Sequence, residues 1–426
     1  MNTNQLKENI MAGKYDGMLG KLYADTDSAK KRYADACDEF VKLYGVREDM
    51  RLFSAPGRTE VGGNHTDHQH GRVLAGSVDL DVLAVVSPNN EGIVRIKSAG
   101  YDMDTVELDN LALNEKEKGR AISLIRGMCA IFKEKGYNIG GFDAYTTSNV
   151  LKGSGLSSSA AFEVLIANIL SGMFNSGTVD RIEIAKISQK AECEYFGKPC
   201  GLLDQSASSL GGFTAIDFCD PQNPKVEQVD FDLSCHGYSL CVVNTGGNHA
   251  NLTQDYADIT VECKQISGFF GKEFLREVEP IDFYENMAVL RKEYGDRAVL
   301  RALHFFNEDN RAELEKLALK EDNFEEFLRL VNESGNSSYK YLQNVYSTSN
   351  VAEQGISLAL AVTEQYFKGT NKGAFRVHGG GFAGTIQVFT PNSLLENYKT
   401  TIEKVFGKGS CYVLHIRPIG GCEITE

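Results

Sequence analysis

The chain has 426 residues, and its 44 Lys and Arg against 58 Asp and Glu give a formal net charge of −14 at pH 7. A field of that sign repels nucleic acid and anionic membranes, so we expect neither as a partner, and a polyanionic ligand would need local groups to hold it. The hydrophobic fraction of 42%, with 18 Tyr and 23 Phe, is enough to bury a large core and excludes disorder as the main state.

Cysteine usage and the first residues of the chain favour the cytoplasm. The 10 Cys residues show no regular spacing and no CxxC pair, which is typical of reduced thiols rather than of a disulfide framework. Residues 1–21 contain no apolar signal core, and the apolar runs are too short to span a membrane. These features predict a cytoplasmic α/β or α+β protein of two or three domains.

Helices and strands alternate in the predicted first half. Apolar residues at helical spacing predict a helix over 22–45 that ends near Gly45, and residues 1–27 are expected to form a solvated helical extension. An extended segment over 51–55 is expected to stop at Pro56-Gly57. The other elements expected before residue 200 are strands over 73–87, 92–98 and 142–146 and helices over 118–136 and 158–174.

The second half repeats this alternation with different residues. The expected strands span 211–218, 238–243, 375–377 and 385–389, and the expected helices span 255–270, 312–333 and 355–367. No internal repeat, low-complexity tract or flexible linker divides the chain. The domains must therefore share an interface.

Glycine clusters at three places, where it permits positive φ and a close approach of the backbone to a ligand. The clusters span 54–67, 153–160 and 378–384. The second follows a strand and opens an apolar helix, so Ser157–Ser159 can cap that helix while its free N–H groups face an anion. No GK[ST] follows these glycines, so the loop is not a Walker P-loop. The residues alone leave open an ordinary serine-capped helix here and a tight hairpin at the third cluster.

Together the three clusters resemble the motifs of the GHMP small-molecule kinases and, within them, the galactokinases. The family motifs read APGRxNxxGEHTDY, LPxGxGLSSSAA and TGGGFGG. Their counterparts here are APGRTEVGGNHTDHQHG (55–71), GSGLSSSAAFEV (153–164) and VHGGGFAGTI (377–386). A fourth segment is similar to the galactokinase pattern AExxFxGxPCGxxDQ and reads AECEYFGKPCGLLDQ (191–205). Four motifs in one order exclude chance agreement, and the similarity spans the chain from about residue 30 to its end.

The resemblance implies a two-domain α+β kinase of the GHMP fold, with ATP and sugar in the cleft between the domains. The expected domains are residues 1–198 and 199–426, with an approximate boundary across which a segment can be exchanged. The resemblance also implies a monomer whose partners are a small-molecule sugar and ATP, with Mg²⁺ on the phosphates.

Two catalytic residues are implied by the resemblance. Phosphoryl transfer needs positioning and charge neutralisation more than covalent chemistry. Asp204 matches the family's carboxylate that orients, and can deprotonate, the anomeric hydroxyl. Arg58 matches the arginine that pairs with this carboxylate and can stabilise charge on the transferring phosphoryl group.

Nucleotide, metal and sugar contacts are implied by other matching positions. Glu192 and a loop serine, Ser159 or Ser158, match the magnesium ligands, which are hard oxygens suited to a hard ion. The expected ATP-binding residues are Gly153, Ser154, Gly155, Leu156, Ser157, Ser158, Ser159 and Ala160. The expected sugar-binding residues are Asn64, His65, Asp67, Gly201, Asp204 and Tyr256.

One departure from the motifs affects the sugar. Asn64 stands where galactokinases have the glutamate that accepts a hydrogen bond from the hydroxyl on the sugar's sixth carbon. An asparagine can still bond a hydroxyl, but it removes the repulsion that a glutamate would impose on a carboxylate at that carbon. Uronic-acid kinases of the family also lack this glutamate and have a segment similar to HSDHQGG. Galacturonate is therefore an alternative substrate, and a pentose is a less favoured alternative. Arg72 or Lys152 is a candidate partner for such a carboxylate.

Smaller departures lie nearby. Thr59-Glu60 replaces the usual valine-asparagine, Leu151-Lys152 stands where proline and an apolar residue are usual, and Ala383 replaces a glycine. None removes a catalytic group, so they indicate a divergent branch of the family. The cluster HTDHQH (65–70) has the residue type of a transition-metal site, but without an ordered acidic or thiol partner we interpret it as non-metal.

The expected function is ATP-dependent phosphorylation of the anomeric hydroxyl of galactose, which gives galactose 1-phosphate. The nearest alternative is a galacturonate 1-kinase of the same family. The alternative from another class is a kinase-derived sugar sensor; such sensors lack a serine-alanine pair in the phosphate loop, whereas Ser157–Ala161 is intact here. Mevalonate and homoserine kinases are disfavoured because the HTD and PCGxxDQ segments resemble those of sugar kinases.

Overall fold

The computed structural model describes residues 1–150, 155–247, 252–370 and 372–426. Its strands are β1 (Arg51–Gly62), β2 (Arg72–Pro88), β3 (Ile93–Ser98), β4 (Met103–Glu107), β5 (Phe142–Ser148), β6 (Phe213–Asp217), β7 (Lys225–Val229), β8 (Tyr238–Asn244), β9 (Ala374–His378), β10 (Thr385–Pro391), β11 (Cys411–Leu414) and β12 (Cys422–Ile424). Its helices are α1 (Thr3–Met11), α2 (Asp16–Leu22), α3 (Thr26–Tyr44), α4 (Ala121–Glu134), α5 (Ser158–Asn175), α6 (Arg181–Ala191), α7 (Leu203–Leu210), α8 (Thr253–Phe269), α9 (Pro280–Tyr294), α10 (Asp296–Lys320), α11 (Phe324–Ser337), α12 (Gly355–Phe367) and α13 (Leu395–Phe406).

The strands form two sheets, so the architecture is α+β. The larger sheet has eight strands in the order β12-β1-β2-β5-β3-β4, and β6 and β7 continue it from the first residues of β2. Its strand pairs are antiparallel except for β3 with β5. The smaller sheet has four antiparallel strands in the order β11-β8-β10-β9.

Strand β1 is longer than the sequence predicts. The expected stop at Pro56-Gly57 is wrong, because β1 continues along β2 as far as Gly62. The pairing shifts register between Pro56 and Arg58 and again between Glu60 and Gly62. The first of these irregularities follows Pro56, which has no N–H to donate to the ladder. Arg58 and Glu60 therefore lie on β1, after the point where the sequence predicts its end.

Helices cover both faces of the larger sheet. Successive residues of a strand point to opposite faces. Leu52 on β1 packs with α1, α2 and α3, whereas Phe53 joins the cluster formed by α4, α5 and α6. On β2, Leu83 lies with Leu52 and Ala84 lies with Phe53. Burial of both faces explains why β2 is apolar at every position from Val82 to Val86.

The first residues of the chain are helical but not solvated. Helices α1 and α2 bury Leu6, Ile10, Leu19 and Leu22 against α3 and the larger sheet. Burying an aliphatic side chain of this size contributes about 1.5–3 kcal/mol. The expectation of a solvated extension is therefore wrong, because these apolar residues form part of the core.

The helix expected over 312–333 is also wrong, since two helices meet there. Asp322 lies between α10 and α11 with φ of 57°. Asn323 then caps α11, because its side chain accepts the Glu326 N–H at 3.3 Å. The Asp-Asn pair is a turn signal that the helical periodicity on either side concealed.

The other predicted elements are confirmed to within a few residues. The helix predicted over 22–45 is α3, and Gly45 follows it with φ of 74°. The apolar helix predicted over 158–174 is α5. The patterns did not predict four short strands and several helices, namely β4, β7, β11, β12, α6, α7, α9 and α13.

The chain passes from the larger sheet to the smaller one later than residue 198, the domain boundary expected from the sequence. Helix α7 packs on β1 and β2, and β6 and β7 belong to the larger sheet, which the chain leaves after Val229. Strand β12 returns to pair with β1, with Ile424 opposite Leu52. We therefore propose two domains that divide near residue 230 and exchange the last segment. Within the described ranges, no helix combines the length and apolar character needed to cross a membrane.

Candidate active site

The candidate site lies where β1 meets the turn between β9 and β10. Thr59 on β1 shares a 3.0 Å hydrogen bond with His378 Nε2 at the end of β9. His65, in the loop after β1, reaches the same turn through a 2.8 Å hydrogen bond between its Nε2 and the Gly380 carbonyl. A Cβ on Gly155 would lie 3.2 Å from the His378 ring. The three glycine clusters are thus brought together at one place.

Arg58 and Asp204, the two residues expected to be catalytic, form an ion pair. Arg58 lies on β1, and Asp204 lies in the first turn of α7. The guanidinium donates from Nε at 2.7 Å and from Nη2 at 2.5 Å to one oxygen, Asp204 Oδ1. Its remaining nitrogen, Nη1, donates to the Gly155 carbonyl. Arg58 thereby ties the carboxylate to the loop before α5 with charge-assisted hydrogen bonds.

Ser157 occupies the position before α5, but it does not cap the helix. Its φ is 53°, and its side chain makes no capping hydrogen bond, so the expected capping by this serine is wrong. Its hydroxyl donates instead to the second carboxylate oxygen, Asp204 Oδ2. The first N–H groups of a helix have no intrahelical partner, and the helix dipole adds positive potential there. This end of α5 can therefore bind a phosphate.

The other residues expected to bind ATP surround this helix end where the structure describes them. Gly153 and Ser154 lie outside the described residues. Gly155 has φ of 74°, and the fully buried Leu156 accepts a 3.0 Å hydrogen bond from the backbone of β1 at its carbonyl. Ser158–Ala160 form the first turn of α5. The loop is thus anchored to β1 next to the ion pair.

Glu192 and Ser159, the expected magnesium ligands, lie next to each other. Ser159 Oγ donates to Glu192 Oε1 at 3.2 Å, and the Lys198 ammonium lies 2.8 Å from the same oxygen. Glu192 is 2% exposed and begins the π-helical turn Glu192–Phe196, a rare conformation that recurs at functional sites. Both candidate ligands present oxygen, the donor atom that Mg²⁺ prefers. Lysine supplies the positive charge beside this carboxylate.

Gln205, the residue after Asp204, joins two buried glutamates. Its Nε2 donates to Glu192 Oε2 at 2.8 Å and to Glu163 Oε2 at 3.1 Å. Glu163 is fully buried on α5, and burial, with the negative charge of Glu192, raises the pKa of its carboxyl well above the usual range. Gln205 therefore fixes Glu192 relative to Asp204. The sequence patterns did not indicate a role for Gln205, Glu163 or Lys198, although the PCGxxDQ motif contains the glutamine.

Gly201 and Asp67, two of the residues expected to bind the sugar, are neighbours, and Gly201 lies two residues before the start of α7. A Cβ on Gly201 would lie 3.5 Å from Asp67 Oδ2. Asp67 keeps 26% of its side chain exposed. Burial lowers the pKa of His65 to about 4, so this ring is neutral at pH 7.

Asn64 is enclosed by the protein. Its side chain is fully buried. Nδ2 donates to Glu60 Oε1 and to the Gly379 carbonyl, each at 2.8 Å. Oδ1 accepts from Asn344 Nδ2 at 2.9 Å and from Ser338 Oγ at 3.2 Å. An amide offers two donors and one oxygen with two lone pairs, so the expected contact with a sugar would require one of these four bonds to break.

Tyr256 on α8 packs against the third glycine cluster. Its hydroxyl donates to the Gly381 carbonyl at 2.9 Å, and its ring meets the Phe382 ring edge-on, with 5.3 Å between the centroids. A Cβ on Gly380 would lie 2.6 Å from the tyrosine ring, so a glycine is required there. Tyr256 therefore stabilises the β9–β10 turn, to which His65 is also hydrogen-bonded.

Glu60 and Arg376 are charged residues of the site that the sequence patterns did not select. Glu60 lies two residues after Arg58 on β1, with 15% of its side chain exposed. The fully buried Arg376 on β9 donates from Nη2 to Glu60 Oε1 at 2.7 Å and from Nη1 to the Val61 carbonyl at 2.5 Å. Burial raises the pKa of Glu60, and Arg376 opposes this effect. The signal in the sequence was the departure of Glu60 from the family motif.

Arg72, a candidate partner for a sugar carboxylate, is engaged elsewhere. Its guanidinium lies 3.2 Å from Asp217, 2.8 Å from Asp309 and 3.4 Å from Glu313. Three carboxylates already compensate its charge. Lys152, the other candidate, lies outside the described residues.

The histidines of the HTDHQH cluster contact different partners. The His65 ring bonds to the β9–β10 turn, as described above. The His70 ring stacks on Phe274, with 3.6 Å between the centroids, and His68 is exposed, with its Nε2 3.7 Å from Asp67. These contacts orient the loop after β1.

The chain is similar to galactokinases over most of its length. The family model "GHMP kinases N terminal domain" matches residues 123–212, and the model "Galactokinase galactose-binding signature" matches residues 38–88. The chain is 30% identical over 379 residues to a galactokinase of Lactobacillus helveticus, which covers 87% of this chain and 94% of that protein. It is 29% identical over 375 residues to a galactokinase of Clostridium tetani, and this alignment covers 87% of this chain and 91% of that protein.

Solved structures share the fold. The galactokinase of Lactococcus lactis, determined with galactose, gives a TM-score of 0.74 at 23% identity and covers 90% of this chain and 97% of that one. A mevalonate kinase of Methanococcus jannaschii gives a TM-score of 0.61 at 14% identity and covers 87% and 99%. The common architecture is the GHMP kinase fold. With its sequence relatives, it shows that the chain belongs to the galactokinase family of the GHMP kinases.

Proposed function

We propose that this chain transfers the terminal phosphoryl group of ATP to the anomeric hydroxyl of galactose, giving galactose 1-phosphate and ADP. Its membership of the galactokinase family supports this reaction. The observation that carries the proposal is the Arg58–Asp204 pair beside the amino end of α5. A carboxylate, a cation and the end of a helix are in direct contact there, and phosphoryl transfer requires these groups.

Asp204 is suited to accept the proton of the anomeric hydroxyl. Arg58 directs two donors to Oδ1, so Oδ2 is the oxygen that a substrate hydroxyl can approach. Oδ2 now accepts the hydroxyl of Ser157. A sugar hydroxyl that replaces the serine would donate to Oδ2 and lose its proton there as it attacks phosphorus.

Charge on the transferring phosphoryl group would be stabilised by α5 and by Arg58. An acidic chain, with a net charge of −14, must supply positive potential locally. Helix N–H groups and a guanidinium are suitable donors to phosphoryl oxygens. Arg58 contacts both Asp204 and the Gly155 carbonyl, so it lies between the base and the phosphate loop.

Mg²⁺ fits the oxygens of Ser159 and Glu192, and we assign these residues as its ligands. Lys198 and Gln205 now hold the two carboxylate oxygens of Glu192, and a divalent ion would take over the role of the lysine charge. Over the ranges that the structure describes, no group of three His, Cys, Asp or Glu could hold a metal. A site with few protein ligands suits an ion that is bound mainly through nucleotide phosphates, whose charge it neutralises.

Galactose is favoured over galacturonate by the charges near the sugar residues. A sugar carboxylate would meet Asp67 and Glu60; burial raises the pKa of Glu60, and the nearby charge of Asp67 raises it further. Arg72 is already paired with three carboxylates. A neutral sugar avoids this repulsion.

The experiment is a comparison of ADP release by the purified chain, with ATP and Mg²⁺, across galactose, galacturonate, arabinose, glucose and N-acetylgalactosamine. Galactose should give the highest kcat/KM. A higher value for galacturonate would replace the proposed substrate. Sugar binding by calorimetry without ADP release on any sugar would favour the sensor.

We also propose a cytoplasmic monomer. The pairs Arg58–Asp204 and Ser159–Glu192 form within one chain, so these four residues need no second copy to meet. All 10 cysteines are free thiols, which suits a reducing compartment. Light scattering on the purified protein should give the mass of one chain, and the mass of a dimer would contradict the proposal.

A further inference from the structure

Glu60 and Asn64 exchange the residue types that the family motif has at their positions. In APGRxNxxGEHTDY, asparagine stands at the position of Glu60 and glutamate at the position of Asn64. The structure brings the two side chains into contact, since Asn64 Nδ2 donates to Glu60 Oε1 at 2.8 Å. The family motif also pairs one carboxylate with one amide at these two positions. In this chain the carboxylate is at position 60 and the amide at position 64, the reverse of the motif.

Asn64 acts on the site through Glu60. All four hydrogen-bonding positions of its amide are occupied by protein groups, and its side chain is fully buried. Its partners Ser338 and Asn344 follow α11, and Gly379 follows β9. Asn64 is thus held from several sides, and one of its two donors orients the Glu60 carboxylate.

Glu60 faces the site. Arg58 and Glu60 are two residues apart on β1 with no register shift between them, so their side chains leave the same face of the strand. The Glu60 side chain is 15% exposed, whereas Asn64 and Arg376, which hold it, are fully buried. Burial raises the pKa of Glu60; the charge of Arg58 lowers it and that of Asp67, an expected sugar-binding residue, raises it, so both charges lie near this carboxylate.

The cations around Glu60 are already bound. Arg376 pairs with Glu60 Oε1 at 2.7 Å from the buried side, so a ligand would approach the carboxylate rather than the guanidinium. Arg58 is bound to Asp204, and Arg72 is bound to three carboxylates. A negatively charged sugar would therefore meet a carboxylate with no free cation among these three arginines to offset it.

We propose that Glu60 is the specificity-determining residue of the sugar pocket: its carboxylate, oriented by Asn64, accepts a hydrogen bond from a hydroxyl of a neutral hexose and repels a hexose that carries a carboxylate. This assignment rests on the proposed galactose 1-kinase function and deepens it. It replaces Asn64 with Glu60 as the residue that distinguishes galactose from galacturonate.

The test is Glu60→Gln in the full chain, which keeps the shape of the side chain and removes its charge. The kcat/KM values for galactose and galacturonate are measured by ADP release, and the Kd values by calorimetry without nucleotide. The ratio of galactose to galacturonate should fall by about tenfold or more, because like charges brought together are strongly disfavoured. An equal change for both sugars would overturn the assignment. Glu107→Gln, an exposed glutamate at the end of β4, is the matched control and should leave the ratio unchanged.

A second pair of variants distinguishes an effect on the sugar from a failure to fold. Asn64→Glu alone would place two carboxylates in contact among buried groups, so its thermal midpoint and its activity should fall. Glu60→Asn combined with Asn64→Glu restores the arrangement of the family motif, and the double variant should regain stability, galactose turnover and discrimination against galacturonate. An Asn64→Glu variant as stable and as selective as the wild type would overturn the assignment.

The two proposals fail in different ways. If the wild type turned over neither sugar, the proposed kinase function would fail, whereas the calorimetric ratio of the two sugars would still test Glu60. If the wild type turned over galactose while Glu60→Gln kept the wild-type ratio, the kinase function would stand and the role of Glu60 would fall.

Discussion

Arg58 directs two of its donors to a single oxygen of Asp204, from Nε at 2.7 Å and from Nη2 at 2.5 Å. The other oxygen, Oδ2, accepts the hydroxyl of Ser157. The two oxygens of the carboxylate are therefore inequivalent: one is fixed by the guanidinium, and the other faces the loop before α5. A base held in this way needs no reorientation when the substrate binds.

Asp204→Asn should bind galactose but lose nearly all turnover. Asparagine keeps the shape of the side chain, but it cannot accept the proton of the sugar hydroxyl, and general-base catalysis contributes about 10²–10⁴-fold. Calorimetry gives the Kd for galactose, and ADP release gives kcat. Turnover close to that of the wild type would remove Asp204 from this role.

Glu192→Gln should raise the Mg²⁺ concentration required for half-maximal activity. The substitution removes the negative charge that Ser159 and Lys198 contact and leaves a neutral oxygen, so binding of a hard divalent ion should weaken by about tenfold or more. The measurement is activity against Mg²⁺ concentration at fixed ATP. Glu194→Gln is the matched control, because Glu194 is exposed on the same π-helical turn. The same Mg²⁺ dependence in both variants would exclude Glu192 as a ligand.

His65 should make the folded protein less stable as the pH falls from 6.5 towards 4. Burial lowers the pKa of His65 from 6.5 to about 4, because the charged ring is disfavoured inside the protein. Between these two values the unfolded chain binds a proton that the folded chain does not, so the free energy of unfolding falls with the pH. The contribution is at most about 3–4 kcal/mol.

Thermal unfolding midpoints of the wild type and of His65→Gln, measured from pH 7 to pH 4.5, test this effect. The midpoint of the variant should fall less steeply, because glutamine does not titrate. Parallel curves for the two proteins would show that another group causes the pH dependence.

Ile10→Ala should destabilise the protein without changing kcat. Ile10 on α1 is fully buried, and truncation of such a side chain costs about 2–5 kcal/mol. Its neighbour Met11 is 56% exposed, so Met11→Ala is the control and should leave the thermal midpoint almost unchanged. Equal midpoints for the two variants would contradict the packing of α1 against the larger sheet.

Several groups of the site could be predicted because their chemistry lies in short contiguous segments. The segment that contains Glu192 and Asp204 is continuous along the chain, and so is the loop that leads into α5. The enclosure of Asn64 could not be predicted in this way. Its partners Ser338, Asn344 and Gly379 are distant in sequence. They meet Asn64 because the segment after α11 and the β9–β10 turn both pack against the loop after β1.

Local patterns failed in the fold wherever a distant partner decides the structure. Strand β12 has three residues, too few to show an alternating pattern, and it forms because β1 offers it an edge. Pro56 marks the end of a strand by its own chemistry, yet β1 continues because β2 holds the residues after it. The long apolar helix α5 could be predicted without knowledge of a distant partner, since its composition alone predicts it.

The position of the phosphate in the product tests the proposed function most directly. The purified protein would be incubated with ATP, Mg²⁺ and galactose, and the product analysed by phosphorus NMR with its coupling to sugar protons. We expect a single phosphate on the anomeric carbon, ADP in equal amount, and no such product with Asp204→Asn. Phosphate on another carbon, or ADP formed without a sugar phosphate, would contradict the assignment of this chain as a galactose 1-kinase.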